Sequence, residues 1–163
     1  MVKKFISEDE IPFYTRVFNF ISLALLAATW IVPLMAYDAL PETVPSHFNL
    51  RGEVDGYGNK VLVFLIPVIA TFTTGILWFV MNTKNPYFRK FRKPGPYQIQ
   101  LSEQAQYRVL STTNLLTALL FLIVEVTMVE SARTAIVPSY FFIIFVICGL
   151  LIILPLVEAF RSK

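Results

Sequence analysis

Four long apolar stretches constrain this chain more than any motif does: residues 17–36, 61–81, 109–129 and 140–160, of 20, 21, 21 and 21 residues. At a helical rise of about 1.5 Å per residue each reaches roughly 30 Å, the thickness of a bilayer's hydrocarbon core. A helix of that length satisfies its own backbone donors and acceptors, which lipid cannot do. The composition agrees, because 56% hydrophobic and only 15% charged residues among 163, with a mean hydropathy of +0.63, exclude an ordinary water-soluble globule. The sequence therefore predicts an all-α integral membrane protein, a single domain of four transmembrane helices. Lys3 and Lys4 precede the first span, but its apolar stretch is too long for a signal peptide and no small-residue cleavage site follows, so it reads as a retained anchor.

Charge placement orients the spans. Eleven of the fourteen Lys and Arg residues fall on one side: Lys3, Lys4 and Arg16 before the first span, Lys84, Arg89, Lys90, Arg92, Lys93 and Arg108 between the second and third, Arg161 and Lys163 after the fourth. The other side carries only Arg51, Lys60 and Arg133. Positive segments stay in the cytoplasm, which predicts both termini inside and residues 37–60 outside. The same distribution accounts for the pI of about 9.1. Arg89, Lys90, Arg92 and Lys93 are placed to meet anionic lipid, and no nucleic-acid partner is expected. Pro94-Gly95-Pro96 interrupts any helix in that loop, and the third helix is expected to start near Glu103.

Catalytic signatures are missing from the sequence. There is no GxSxG, HExxH, Walker A or GxGxxG pattern, and Cys148 is the single cysteine, so neither an intramolecular disulfide nor a CxxC centre can form. With one histidine, no cofactor or metal site is expected, and the chain reads as a non-enzyme.

The outer loop, residues 37–60, holds the most informative sequence. Its 24 residues far exceed what two neighbouring helices need as a connection. Pro41 and Pro45 hold the residues before them extended, while Asp55-Gly56 and Gly58-Asn59 are turn chemistry, so a folded-back loop or short hairpin is expected. If residues 46–50 are extended, His47 and Asn49 share one face and Phe48 and Leu50 the other. An apolar anchor would then display His47 and Asn49, with Asp55 and Glu53 nearby, to a ligand or metal. One histidine among scattered carboxylates favours hydrogen-bonded scaffolding over metal binding.

The order Leu40-Pro41-x-x-Val44-Pro45-x-His47-Phe48-Asn49-x-x-Gly52-Glu53-x-Asp55-Gly56-Tyr57-Gly58-Asn59-Lys60 between two spans resembles the family called domain of unknown function 1648. That domain also occurs in bacterial immunity membrane proteins that protect against a secreted sporulation-delay toxin. The resemblance covers this loop best and extends to its flanking spans. Downstream, Phe91-Arg92-Lys93-Pro94 departs from the family's asparagine-tyrosine-proline stretch. The resemblance implies a bacterial cytoplasmic-membrane protein whose outer loop is its distinctive part, with Pro45, His47, Asn49, Gly52, Asp55, Gly56 and Lys60 as candidate partner-contacting residues.

Within the spans, Glu125 is exceptional, since a charged side chain at a helix centre costs about 2.5–3.5 kcal/mol on insertion scales. Asn114, eleven residues earlier, projects in nearly the same direction, and Thr117 lies close by, so these three form a polar stripe that should face inward. Interhelical hydrogen bonding explains such a stripe; so does a site where Glu125 meets a cation, proton or polar ligand, with Arg133 or His47 as partner. Three functions follow: recognition of a peptide, envelope component or protein by the outer loop; a small transporter or channel subunit, dimeric, using Glu125; or a structural subunit of a larger membrane complex.

Overall fold

A computed structural model describes residues 13–82 and 103–161. The expected lipid contacts Arg89, Lys90, Arg92 and Lys93, and the Pro94-Gly95-Pro96 break, lie outside the described residues. The long helices are α1 (Phe13–Ala36), α2 (Leu65–Asn82), α3 (Glu103–Thr134) and α4 (Ile143–Arg161). All four lie in stretches long and apolar enough to cross a membrane.

The all-α expectation needs one correction. Between α1 and α2 the chain forms an antiparallel hairpin, β1 (Thr43–Phe48) and β2 (Val54–Asn59), with 3-10 turns at Tyr37–Ala39 and Lys60–Phe64. The prolines and glycines that bar a helix there leave ladder pairing as the way to satisfy the backbone.

Helix ends depart from the apolar runs for local reasons. The third helix extends well beyond residues 109–129, because its polar ends still gain backbone bonds; its start at Glu103 agrees with the sequence. Regular α2 starts later than residue 61. Pro67 lacks an N–H and suits the first turn of the helix, and Asn59 caps the preceding 3-10 turn by accepting from the Val61 N–H at 2.9 Å. Pro138 and a 3-10 turn at Ser139–Phe142 likewise delay α4 to Ile143.

Helix α1 packs most extensively on α3. Its buried Thr15, Ser22, Thr29 and Ala36 recur every seven residues. On α3, buried Ser111, Ala118 and Glu125 show the same interval, and the half-buried Ala132 continues it. Small side chains let two backbones approach closely, and a seven-residue repeat keeps such a seam facing its partner. Glu125 is therefore the one large side chain in a seam of small ones. Helix α2 also packs on α3 and α1, whereas α4 leans substantially on α3 alone among the described helices.

The hairpin closes one end of this bundle. Leu40 and Val44 from the hairpin side join Ala36, Val63, Met128 and Val129 in one buried cluster. Val44 and Val63 are fully buried, each contributing about 1.5–3 kcal/mol relative to an exposed side chain.

Candidate functional site

The hairpin's tip is built by Asn49. Its backbone carbonyl accepts from the Gly52 N–H at 2.9 Å, and its side-chain oxygen accepts from the N–H groups of Arg51 and Glu53 at 2.9 and 3.0 Å. Its amide also donates to the Glu53 carboxylate at 2.8 Å. Gly52 follows with φ +78°, a conformation that disfavours a Cβ, and an added Cβ would lie 3.4 Å from the Phe141 ring. Asn49, Glu53 and Gly52 are thus scaffold that turns the chain and seats it.

The expected partition of residues 46–50 holds only as far as Phe48. Phe48 packs against Phe141 with ring centroids 5.6 Å apart. Leu50 is 82% exposed, and Asn49 has left the strand for the turn, so neither shares a strand face with its expected companion. Register shifts between Pro45 and His47 and between His47 and Phe48 break the simple alternation.

His47 and Asp55 meet across the hairpin through a direct contact between His47 Nδ1 and Asp55 Oδ1, both side chains remaining substantially exposed. Gly56 lies behind this pair, where an added Cβ would stand 3.0 Å from the His47 Cβ. Pro45 is buried and opposes Tyr57, whose side is 68% exposed. Lys60 donates to Glu42 at 2.8 Å and sits 5.1 Å from the centroid of the Tyr37 ring, tying the hairpin's base together. Of the seven candidate contacts, His47 and Asp55 therefore present polar groups on an exposed face, while Pro45, Asn49, Gly52, Gly56 and Lys60 shape that face. Tyr57, absent from the candidates, joins it; its aromatic ring beside two glycines was the available signal. Among the described residues, no group of three His, Cys, Asp or Glu side chains could hold a metal ion.

The second polar feature lies in the bundle. Asn114 and Glu125 are 1% and 0% exposed, and Thr117 is nearly buried, so the stripe faces inward as expected. The Asn114 amide reaches Asn19 Oδ1 at 3.5 Å, and Asn19 in turn approaches the Met81 sulfur at 3.8 Å, linking α3, α1 and α2. Neither oxygen of Glu125 has a hydrogen-bond partner in the described structure. The expected partners are elsewhere: His47 engages Asp55, and Arg133 is exposed. Trp30 donates to Thr71 at 3.0 Å and joins α1 to α2. Tyr140 donates to Glu130 on α3.

The hairpin and its flanking helices coincide with the recognisable part of the sequence. Residues 24–71 match the family described as Domain of unknown function (DUF1648), in agreement with the resemblance of the loop. An uncharacterized protein of Archaeoglobus fulgidus is 35% identical over 66 residues, which are 40% of this chain and 34% of that protein. The match thus spans about a third of the relative's length. No solved structure matches the chain.

Proposed function

We propose that this is a non-enzymatic multi-pass protein of the cell membrane, with both termini cytoplasmic, whose hairpin recognises a peptide, envelope component or protein partner outside the cytoplasmic membrane. The observation that carries the reading is the exposed His47–Asp55–Tyr57 face on a hairpin anchored by Val44 and Phe48. A mere linker needs neither a buried anchor nor an internally bonded turn. Recognition by a preformed surface loses less conformational entropy than recognition by a floppy loop.

The test places a photo-crosslinking residue at Tyr57 or at His47 and activates it in native membranes, followed by mass spectrometry of the adducts. A discrete partner captured at these positions, and not at lipid-facing Phe72, supports the reading. If replacing residues 43–59 by a scrambled sequence leaves every co-purifying partner unchanged in stably expressed protein, the reading is wrong.

A second reading rests on Glu125, whose enclosed, unpartnered carboxyl group suits a small transporter or channel subunit acting as a homodimer. Ion flux in reconstituted vesicles that is abolished by Glu125→Gln supports it; absence of flux in both proteins counts against it.

A further inference from the structure

We propose that β2 is a strand-addition site, at which an extended, basic peptide segment pairs along the strand's outer edge through the N–H and C=O of Tyr57 and the N–H of Asn59. This rests on the recognition reading and names its mode and partner chemistry.

The register assigns the free groups. The Lys60 N–H donates to the Glu42 carbonyl at 3.0 Å, so these directly opposed residues form a hydrogen-bonded pair. Antiparallel pairs alternate, and Thr43↔Asn59, Val44↔Gly58 and Pro45↔Tyr57 follow in unbroken register. Val44↔Gly58 is then hydrogen-bonded, while Asn59 and Tyr57 turn their N–H and C=O groups away from β1; Asn59, as N-cap of the following 3-10 turn, commits its C=O to that turn and keeps its N–H for the edge. Pro45 falls at a position where β1 needs no N–H, which accords with this phase.

The two edges are treated differently. On β1 are a proline and the extra residue of one register shift, Ser46, and β1 packs on α3, whereas the other shift places its extra residue, Asp55, on β2 before the Tyr57–Asn59 stretch. On β2, Val54–Asn59 carries no proline, lysine or arginine, and the strand packs substantially on β1 alone among the described elements. Gly56 and Gly58 flank Tyr57, and their missing side chains leave room for His47 and Leu62 against the sheet faces, not along its outer edge. An unpaired edge of this kind recruits an extended peptide by main-chain hydrogen bonds, with side chains setting preference.

Charge selects the occupant. Residues 37–60 carry Asp38, Glu42, Glu53 and Asp55 against Arg51 and Lys60, a net charge of −2 with His47 neutral, on a chain whose total is +3. Asp55 lies on β2 itself, two residues from Tyr57. A segment with basic side chains flanking an apolar one complements this edge.

The experiment uses the full chain in nanodiscs of zwitterionic lipid, with a capped octapeptide alternating Lys and Val as the probe. A fully N-methylated version of the same peptide is the comparison. Saturable binding is expected, with slowed amide exchange at Tyr57 and Asn59, and about tenfold weaker binding of the methylated peptide, as one to two lost main-chain hydrogen bonds require. Tyr57→Pro should weaken binding about as much while the Gly58 amide keeps its protection, whereas Tyr57→Val, which loses the ring but retains the N–H, should weaken it less than Tyr57→Pro does. No binding of the octapeptide overturns the proposal. Binding that needs residues 43–59 but ignores methylation and Tyr57→Pro overturns strand addition and leaves recognition by the hairpin standing. Equal binding to a chain with those residues scrambled overturns both. Concentration-dependent protection of Tyr57 without peptide means that a second copy occupies the edge, and also overturns it.

Discussion

Phe48 at the end of β1 and Phe141 at the entry to α4 stack 93 positions apart in sequence, with centroids 5.6 Å apart and planes inclined by 45°. Phe141 also meets Phe142 and Phe145 edge-on at 5.8 and 5.7 Å. The hairpin thereby reaches across to the helix that is otherwise the most loosely attached.

A double-mutant cycle with Phe48→Leu and Phe141→Leu should give a coupling of about 0.5–1.5 kcal/mol, the range for aromatic pairs beyond their buried area. Reversible unfolding in detergent measures it. A coupling near zero would mean that the two rings are merely neighbours.

Gly52→Ala should destabilise the tip by roughly 1–2 kcal/mol, since φ +78° is left-handed and the new methyl meets the Phe141 ring. Trypsin cleavage after the exposed Arg51 should accelerate correspondingly, about fivefold or more when cleavage follows local opening. Unchanged cleavage would show that the turn has another conformation open to it.

Glu125→Leu should leave the fold intact and raise its stability by about 1–3 kcal/mol, because an enclosed carboxyl group without a partner lowers stability, whereas Glu125→Gln, which keeps a buried polar group there, should gain less. Unfolding of the purified variants decides this. A marked loss of stability would reveal a hydrogen-bonding partner for the carboxyl group.

Asn114→Ala should cost only about 0.6 kcal/mol, the average for such interhelical contacts, given the long 3.5 Å reach to Asn19. A penalty several times larger would mean that the Asn114–Asn19–Met81 contacts organise the bundle more strongly than their lengths imply.

Leu50→Cys, in a Cys148→Ala background, should react with a membrane-impermeant maleimide on intact cells, because this tip residue is exposed and residues 37–60 are expected outside. Labelling only after the membrane is opened would reverse the proposed topology.

The four long helices were legible because predominantly apolar stretches of twenty or more residues permit few alternatives, and the hairpin because proline, glycine and asparagine punctuate residues 41–59. Its phase was not legible. Alternation through residues 46–50 predicts buried Leu50, but the register shifts around His47 and the turn centred on Asn49 put Leu50 in the open. The inward stripe of Asn114 and Glu125 followed from helical angle alone, whereas its setting depended on α1: the Thr15, Ser22, Thr29, Ala36 repeat is visible in the sequence, but its match to Ser111, Ala118 and Glu125 requires knowing that the two helices are partners. Trp30 with Thr71 and Tyr140 with Glu130 were hidden for the same reason, since a polar edge on an aromatic ring fits an interface or a neighbouring helix equally well.

The cluster under the hairpin joins Leu40 and Val44 to Met128 and Val129, which are synthesised more than eighty residues later. During biogenesis the first two spans can enter the bilayer as a pair, yet the loop between them lacks its floor until the third span arrives. Its finished shape is therefore a certificate of assembly: a partner that reads the folded loop ignores truncated or half-inserted chains.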